Sequence, residues 1–223
     1  MKIKILLLLV PAFVFGFSVG AKAQRGFPFY NEIRAFKHQD SLSFPPKNGI
    51  LFIGSSSIRV WDDLERRFPG KPIIKRGVGG SELSQLVDYY TPYILFPYQP
   101  RKIFIYAGEN DIAAGKSADF VANEFKMLWE MINKQLPNAK IYFMSIKPSP
   151  SRAKYFDQVN LANKLIKNYL ADKANSTYID MGTVLLKANS NMPDSSLFRG
   201  DFLHLNSKGY DKWQKVLEPY LAN

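Results

Sequence analysis

Five short apolar runs recur along this chain, and each is followed by a stretch in which apolar residues return every three or four positions. That alternation constrains the fold more than any other feature. The runs cover 50–53, 72–74, 102–106, 140–144 and 177–179. Several are continuously apolar, as strands must be when helices cover both faces of a parallel sheet. Between them, Val121, Phe125, Leu128 and Ile132 fall on one helical face, with Ser117 placed to cap the start and Pro137 just past the end. Residues 155–170 repeat the spacing with Phe156, Val159, Leu165, Ile166, Tyr169 and Leu170, and a last helix carries Tyr210, Trp213, Leu217 and Tyr220. No internal repeat or long linker divides the pattern. It predicts one α/β domain, a three-layer α/β/α sandwich around a central, mainly five-stranded parallel sheet. In such a sheet the ligand crevice lies at the carboxyl ends of the strands.

Residues 1–23 open with Lys2 and Lys4, run uncharged from Ile5 to Val19 and close on Ala21-Lys22-Ala23. This is the pattern of a secretory signal peptide. Pro11 and Gly16 interrupt the run, which is also short for a bilayer span, so the reading is cleavage after Ala23 and no retained anchor. The expected organisation is a leader over 1–23 and a single domain over 24–223, exported to the periplasm or medium of a bacterium. Without the leader the formal charge of +11 falls to +8, from 27 basic and 19 acidic residues. Lys and Arg are spread along the chain. The densest stretch (Arg66, Arg67, Lys71, Lys75, Arg76) is broken by Phe68, Pro69 and Ile73-Ile74, which suits a solvated surface better than a nucleic-acid interface. With no cysteine there is no disulfide and no lipidated anchor, so stability rests on the core. Two histidines and no cysteine argue against a zinc site of the usual His/Cys type, and no motif implies a cofactor.

The segments at the strand ends carry the chemistry. Gly54-Ser55-Ser56-Ser57 follows the first run, Gly77-Val78-Gly79-Gly80 the second and Gly108-Glu109-Asn110-Asp111 the third. A serine and a glycine backbone N–H with an asparagine amide are the donors that an oxyanion hole requires. Near the C-terminus, Asp201-Phe202-Leu203-His204 sets a carboxylate three residues from an imidazole, close enough within one turn to orient it. Each signal has a bland reading. The serines read as a helix cap, the glycines as a bare turn, Asn110-Asp111 as a turn or cap, Asp201 as surface and His204 as a core histidine. The glycines lack the G-x-G-x-x-G spacing, because position 82 is Glu.

The blocks in order resemble the SGNH hydrolases, also called the GDSL family, from about Ile50 to Trp213. The resemblance implies a flavodoxin-like fold and a serine esterase. Ser56 becomes the nucleophile, His204 the base and Asp201 its orienting partner. Gly80 and Asn110 become oxyanion donors beside the Ser56 backbone N–H. The family's Asp before the nucleophile is Ser55 here, which puts the hydrogen bonding of that turn in question. Ser57 is expected to cap the helix beginning near Ile58, with Ser55 a turn residue. The other histidine, His38, precedes the first strand among polar neighbours and is set aside as the base.

Substrates implied by the family range over acetylated sugars, lysophospholipids, thioesters and platelet-activating-factor-like lipids. The block spellings and the leader look most like exported members acting on short acyl groups, with a small-molecule or glycan acyl ester as the partner. A sugar O-acyltransferase and a non-catalytic glycan-binding module are the rival uses of the fold. A glycosidase built on Glu109 or Asp111 lacks a second acid, since Asp201 is explained by His204. The aromatic stretch Tyr89, Tyr90, Tyr93, Phe96 and Tyr98 is read as packing core ahead of a sugar platform. Lys147, Arg152 and Arg59 are candidates to meet a polar substrate, and each is expected to lie on the solvated surface.

Overall fold

The computed structural model describes residues 28–222; the expected leader lies outside the described residues. Five strands form one sheet in the order β2-β1-β3-β4-β5, with every pairing parallel. They are β1 (Ile50–Gly54), β2 (Ile73–Gly77), β3 (Lys102–Tyr106), β4 (Lys140–Met144) and β5 (Ser176–Ile179). The helices are α1 (Tyr30–Leu42), α2 (Ser56–Arg59), α3 (Leu64–Arg67), α4 (Leu83–Gln85), α5 (Thr91–Ile94), α6 (Glu109–Ala113), α7 (Ala118–Gln135), α8 (Phe156–Leu170) and α9 (Ser207–Leu221).

The pleat divides each central strand between two cores. Leu51, Ile53, Ile103, Ile105, Ile141 and Phe143 point to the layer of α1, α4, α5, α7 and α8. Ile50, Phe52, Phe104, Tyr106, Tyr142 and Met144 point to the layer of α2, α3 and α9. Both faces of β1 and β3 are fully covered, which is why their sequences do not alternate. On the second face, Trp61 stacks on Tyr210 at 4.6 Å and tilts against Trp213 at 5.8 Å. Burial of an aromatic of this size is worth several kcal/mol; truncating one to Ala costs roughly 3–5 kcal/mol.

Two elements differ from expectation. The strand expected over 72–74 begins at Ile73 and runs on to Gly77, because its charged residues find partners at the sheet edge. Lys75 donates to the Trp61 carbonyl at 3.0 Å, and the buried Arg76 bonds the Tyr98 hydroxyl at 2.6 Å and pairs with Asp40. The helix expected from Tyr155 begins at Phe156, after a 3₁₀ turn over Pro150–Tyr155. The expected helix through 121–132 is α7, capped by Ser117, whose hydroxyl accepts the Phe120 N–H at 3.1 Å. Tyr90 and Tyr98 of the aromatic stretch are fully buried, whereas Tyr89 is exposed. Among the described residues no helix is long and apolar enough to cross a membrane.

Candidate active site

Strand order 2-1-3-4-5 reverses direction between β1 and β3, and at such a switch point the loops leave in opposite directions and open a crevice. Gly54 ends β1 with φ 132, and a Cβ there would lie 1.9 Å from the Tyr106 carbonyl oxygen, so only glycine fits. The Ser55 N–H donates to that carbonyl at 2.9 Å, and the chain turns directly into α2 with Ser56 as its first residue. Ser55 therefore holds the N-cap position, with no capping bond from its own side chain. Ser57, expected to cap, sits inside the first turn and is buried, because the helix starts two residues earlier than its apolar pattern shows.

His204 arrives from the far end of the chain. The backbone bridge between Phe198 and Leu205 closes a short loop, and Arg199 braces it by donating to the Leu205 and Val60 carbonyls. Within the loop one Asp201 carboxylate oxygen accepts the backbone N–H of Leu203 and of His204, each at 2.9 Å. The other oxygen lies 2.6 Å from His204 Nδ1. That bond assigns the proton to Nδ1 and leaves Nε2, 2.8 Å from Ser56 Oγ, as an acceptor. Immediately after the loop, Asn206 caps α9 by accepting the Gly209 N–H, and the Tyr210 hydroxyl donates to the Ser57 carbonyl at 2.9 Å. The helix that carries the loop is thus fastened to the serine turn.

Asp201 is half exposed, with its carboxyl held down at about 2. Partial burial pulls the other way but is outweighed by the His204 ring N–H and the two backbone N–H groups. It remains an anion throughout the range in which an imidazole works as a base.

The other two blocks face the serine turn. Gly80 stands exposed at φ 76, and Asn110 Nδ2 donates to the Ser81 carbonyl at 2.9 Å, joining the second and third loops. Neither the Ser56 nor the Gly80 backbone N–H has a hydrogen-bond acceptor among the described residues, and one Asn110 amide hydrogen is left over. Ser56, Asp201 and His204 are thus joined by direct bonds, whereas Asn110 and Gly80 reach the serine turn through Ser81, whose hydroxyl donates to the Gly54 carbonyl at 3.3 Å. A serine hydroxyl bonded to an oriented imidazole, beside unspent donors, is arranged for nucleophilic acyl chemistry.

Residues 53–212 match the model of the GDSL-like Lipase/Acylhydrolase family. The chain belongs to that family. It is similar to platelet-activating factor acetylhydrolase IB subunit alpha2 of Homo sapiens, 26% identical over 172 residues that cover 75% of this chain and 73% of that protein. Among solved structures it is similar to a GDSL-like lipase from Bacteroides thetaiotaomicron, with a TM-score of 0.70, 18% identity, and 85% of this chain and 96% of that chain covered. It is also similar to a carbohydrate esterase family 3 protein from Talaromyces cellulolyticus, with a TM-score of 0.60, 16% identity, and coverage of 78% and 95% respectively. At these identities the structural likeness is one of fold.

Around the site of this GDSL-like protein the rim residues depart from expectation. Lys147 is not on the surface: it is fully buried, with Nζ 2.7 Å from a Glu109 carboxylate oxygen. Arg152 is half-buried and bonded to Glu109 and Asn110. Of the three cations, Arg59 is exposed, lying against Gly79. Glu109 and Asp111 are both buried; Asp111 accepts the Leu83 N–H at 3.0 Å, so each has a structural occupation. His38 is exposed on α1. Sequence reasoning also missed α1, which precedes the family match yet meets the site. Glu32 accepts the Gly79 N–H at 2.8 Å, and the Phe29 ring lies 3.5 Å from where a Gly80 Cβ would be. No local signal in 28–33 marks that contact, since it is made with a loop almost fifty residues away.

Proposed function

We propose that this acylhydrolase-family chain is an exported serine esterase that cleaves short O-acyl esters, acetyl above all, from a carbohydrate or other small alcohol. The observation that carries the reading is the continuous relay from Asp201 through His204 to Ser56, at 2.6 and 2.8 Å, beside unspent donors. Ser56 attacks the ester carbonyl while His204 Nε2 takes its proton, and Asp201 stabilises the imidazolium that forms. Negative charge gathers on the carbonyl oxygen, where the Ser56 and Gly80 N–H groups and the Asn110 amide receive it. His204 then protonates the leaving alcohol. Water, deprotonated by the same imidazole, releases the acid from Ser56.

A short acyl group is supported by the acetylhydrolase name of one protein it is similar to, and a carbohydrate alcohol by the carbohydrate esterase name of another. Export is supported by the leader pattern over 1–23, with 24–223 as the mature domain. The test is an ester panel of rising acyl length, run beside acetylated xylan with released acetate measured. Activity confined to long acyl chains, or unchanged turnover in Ser56→Ala, overturns the reading.

A further inference from the structure

The buried polar cluster behind Asn110 has no place in the proton relay. Glu109 and Lys147 are both almost wholly buried, 5% and 1% exposed, and form an ion pair at 2.7 Å. The same carboxylate accepts the Tyr106 hydroxyl at 2.8 Å and the Ser149 hydroxyl at 2.6 Å. Burial alone would raise the Glu109 carboxyl, but the Lys147 and Arg152 charges outweigh it and hold the group ionised below its ordinary value. Ionised and multiply bonded, Glu109 locks the loop after β4 onto the first turn of α6. That lock delivers Arg152 to the rim. One Arg152 nitrogen donates to the Glu109 carbonyl at 2.6 Å, and the other donates to Asn110 Oδ1 at 3.0 Å.

A carboxamide can turn end for end at little cost, and a turned Asn110 would present an oxygen where a donor is needed. Arg152 has donors only, so it accepts no orientation but the one with Oδ1 toward it. The Ser81 carbonyl, an acceptor only, fixes the opposite end. Ser151, beside Arg152, donates its N–H and hydroxyl to the Phe202 carbonyl at 3.1 and 3.0 Å, so the same loop also braces the segment holding Asp201 and His204.

We propose that Arg152 is a positioning residue that holds the Asn110 carboxamide with Nδ2 turned to the oxyanion, and that the buried Lys147–Glu109 pair is its anchor. The inference rests on the esterase reading above. Its benefit falls on the transition state, since the oxyanion exists only there. Arg152→Met lowers kcat on p-nitrophenyl acetate about 10- to 100-fold with KM nearly unchanged, as for a donor displaced by a fraction of an ångström. Asn110→Ala costs about 10²–10³ in kcat, the usual loss for one such donor.

The deciding measurement is the double-mutant cycle. With Asn110 already Ala, Arg152→Met costs almost nothing more, and added guanidinium restores part of the rate of Arg152→Ala but none of that of Asn110→Ala. An Arg152→Met penalty equally large in both backgrounds, or a KM effect with kcat intact, overturns the proposal. A second measurement needs no turnover. In amide correlation spectra the two Asn110 side-chain N–H resonances are well separated in the parent and draw together in Arg152→Met; unchanged resonances overturn the proposal. Failure of a fluorophosphonate to label Ser56 in the parent overturns the esterase reading instead.

Discussion

The imidazole of His204 stands with Nε2 2.8 Å from Ser56 Oγ, across 148 residues of chain. Nothing local to either residue causes this. The serine is set by a glycine-only turn at the end of β1, and the histidine by a loop clamped through Arg199 and α9. The Tyr210 bond to the Ser57 carbonyl closes the gap between them.

Because the relay acts as a unit, its losses do not add. Ser56→Ala lowers kcat on an aryl acetate by roughly 10⁴–10⁶-fold, and adding His204→Ala lowers it little further. Initial rates of the two single variants and the double variant check this. Circular dichroism stays at the parent spectrum, since Ser56 is only half-buried and its hydroxyl bonds to His204, which Asp201 and its own loop already hold.

Gly54→Ala destabilises the fold by about 3 kcal/mol or more, because its Cβ collides with the backbone of a central strand that cannot yield. Urea unfolding measures the loss. Gly80→Ala meets only the Phe29 ring at 3.5 Å but must hold an alanine at φ 76, so it loses less than Gly54→Ala, about 1–2 kcal/mol.

Lys147→Met leaves Glu109 buried without its cation and costs about 3–5 kcal/mol. The double variant Lys147→Met with Glu109→Leu removes both charges and regains most of that stability, as apolar replacement of a whole buried pair does. Equal stability of the single and double variants in urea unfolding refutes the buried-pair account.

Asp201 titrates at about 2 in the fold against 3.8 for an ordinary aspartate. Its depressed value means that its contribution to stability is complete above pH 3.8 and is lost as pH falls through about 2. The stability gap between the parent and Asp201→Asn therefore narrows as pH falls from about 4 through 2. Unfolding midpoints at three pH values show it. At neutral pH the same variant loses roughly 10⁴ in kcat, since an amide does not hold the imidazole in the required tautomer.

Strands, helices and the four blocks were legible in the sequence because each depends on neighbours along the chain. Continuous apolar runs require cover on both faces, the spacing through Val121, Phe125, Leu128 and Ile132 makes one helical stripe, and Asp201 meets His204 within a single turn. Even the edge strand was found by its apolar start, though its end was hidden by Lys75 and Arg76, whose partners lie elsewhere in the chain.

What only the tertiary structure decided is the fate of polar side chains whose partners are remote. Lys147 sits in a loop with two prolines and reads as solvated, yet a carboxylate 38 positions earlier in the chain draws it fully into the interior. Arg152 reads as a surface cation until Asn110 Oδ1 is placed against it. Phe29 and Glu32 reach Gly79 and Gly80 only because α1 folds back over the sheet. Apolar periodicity records which face of an element is buried, and glycine records where the backbone must turn. A charge records neither, since its burial is settled by whether a partner arrives to offset desolvation, and that is a property of the packed chain.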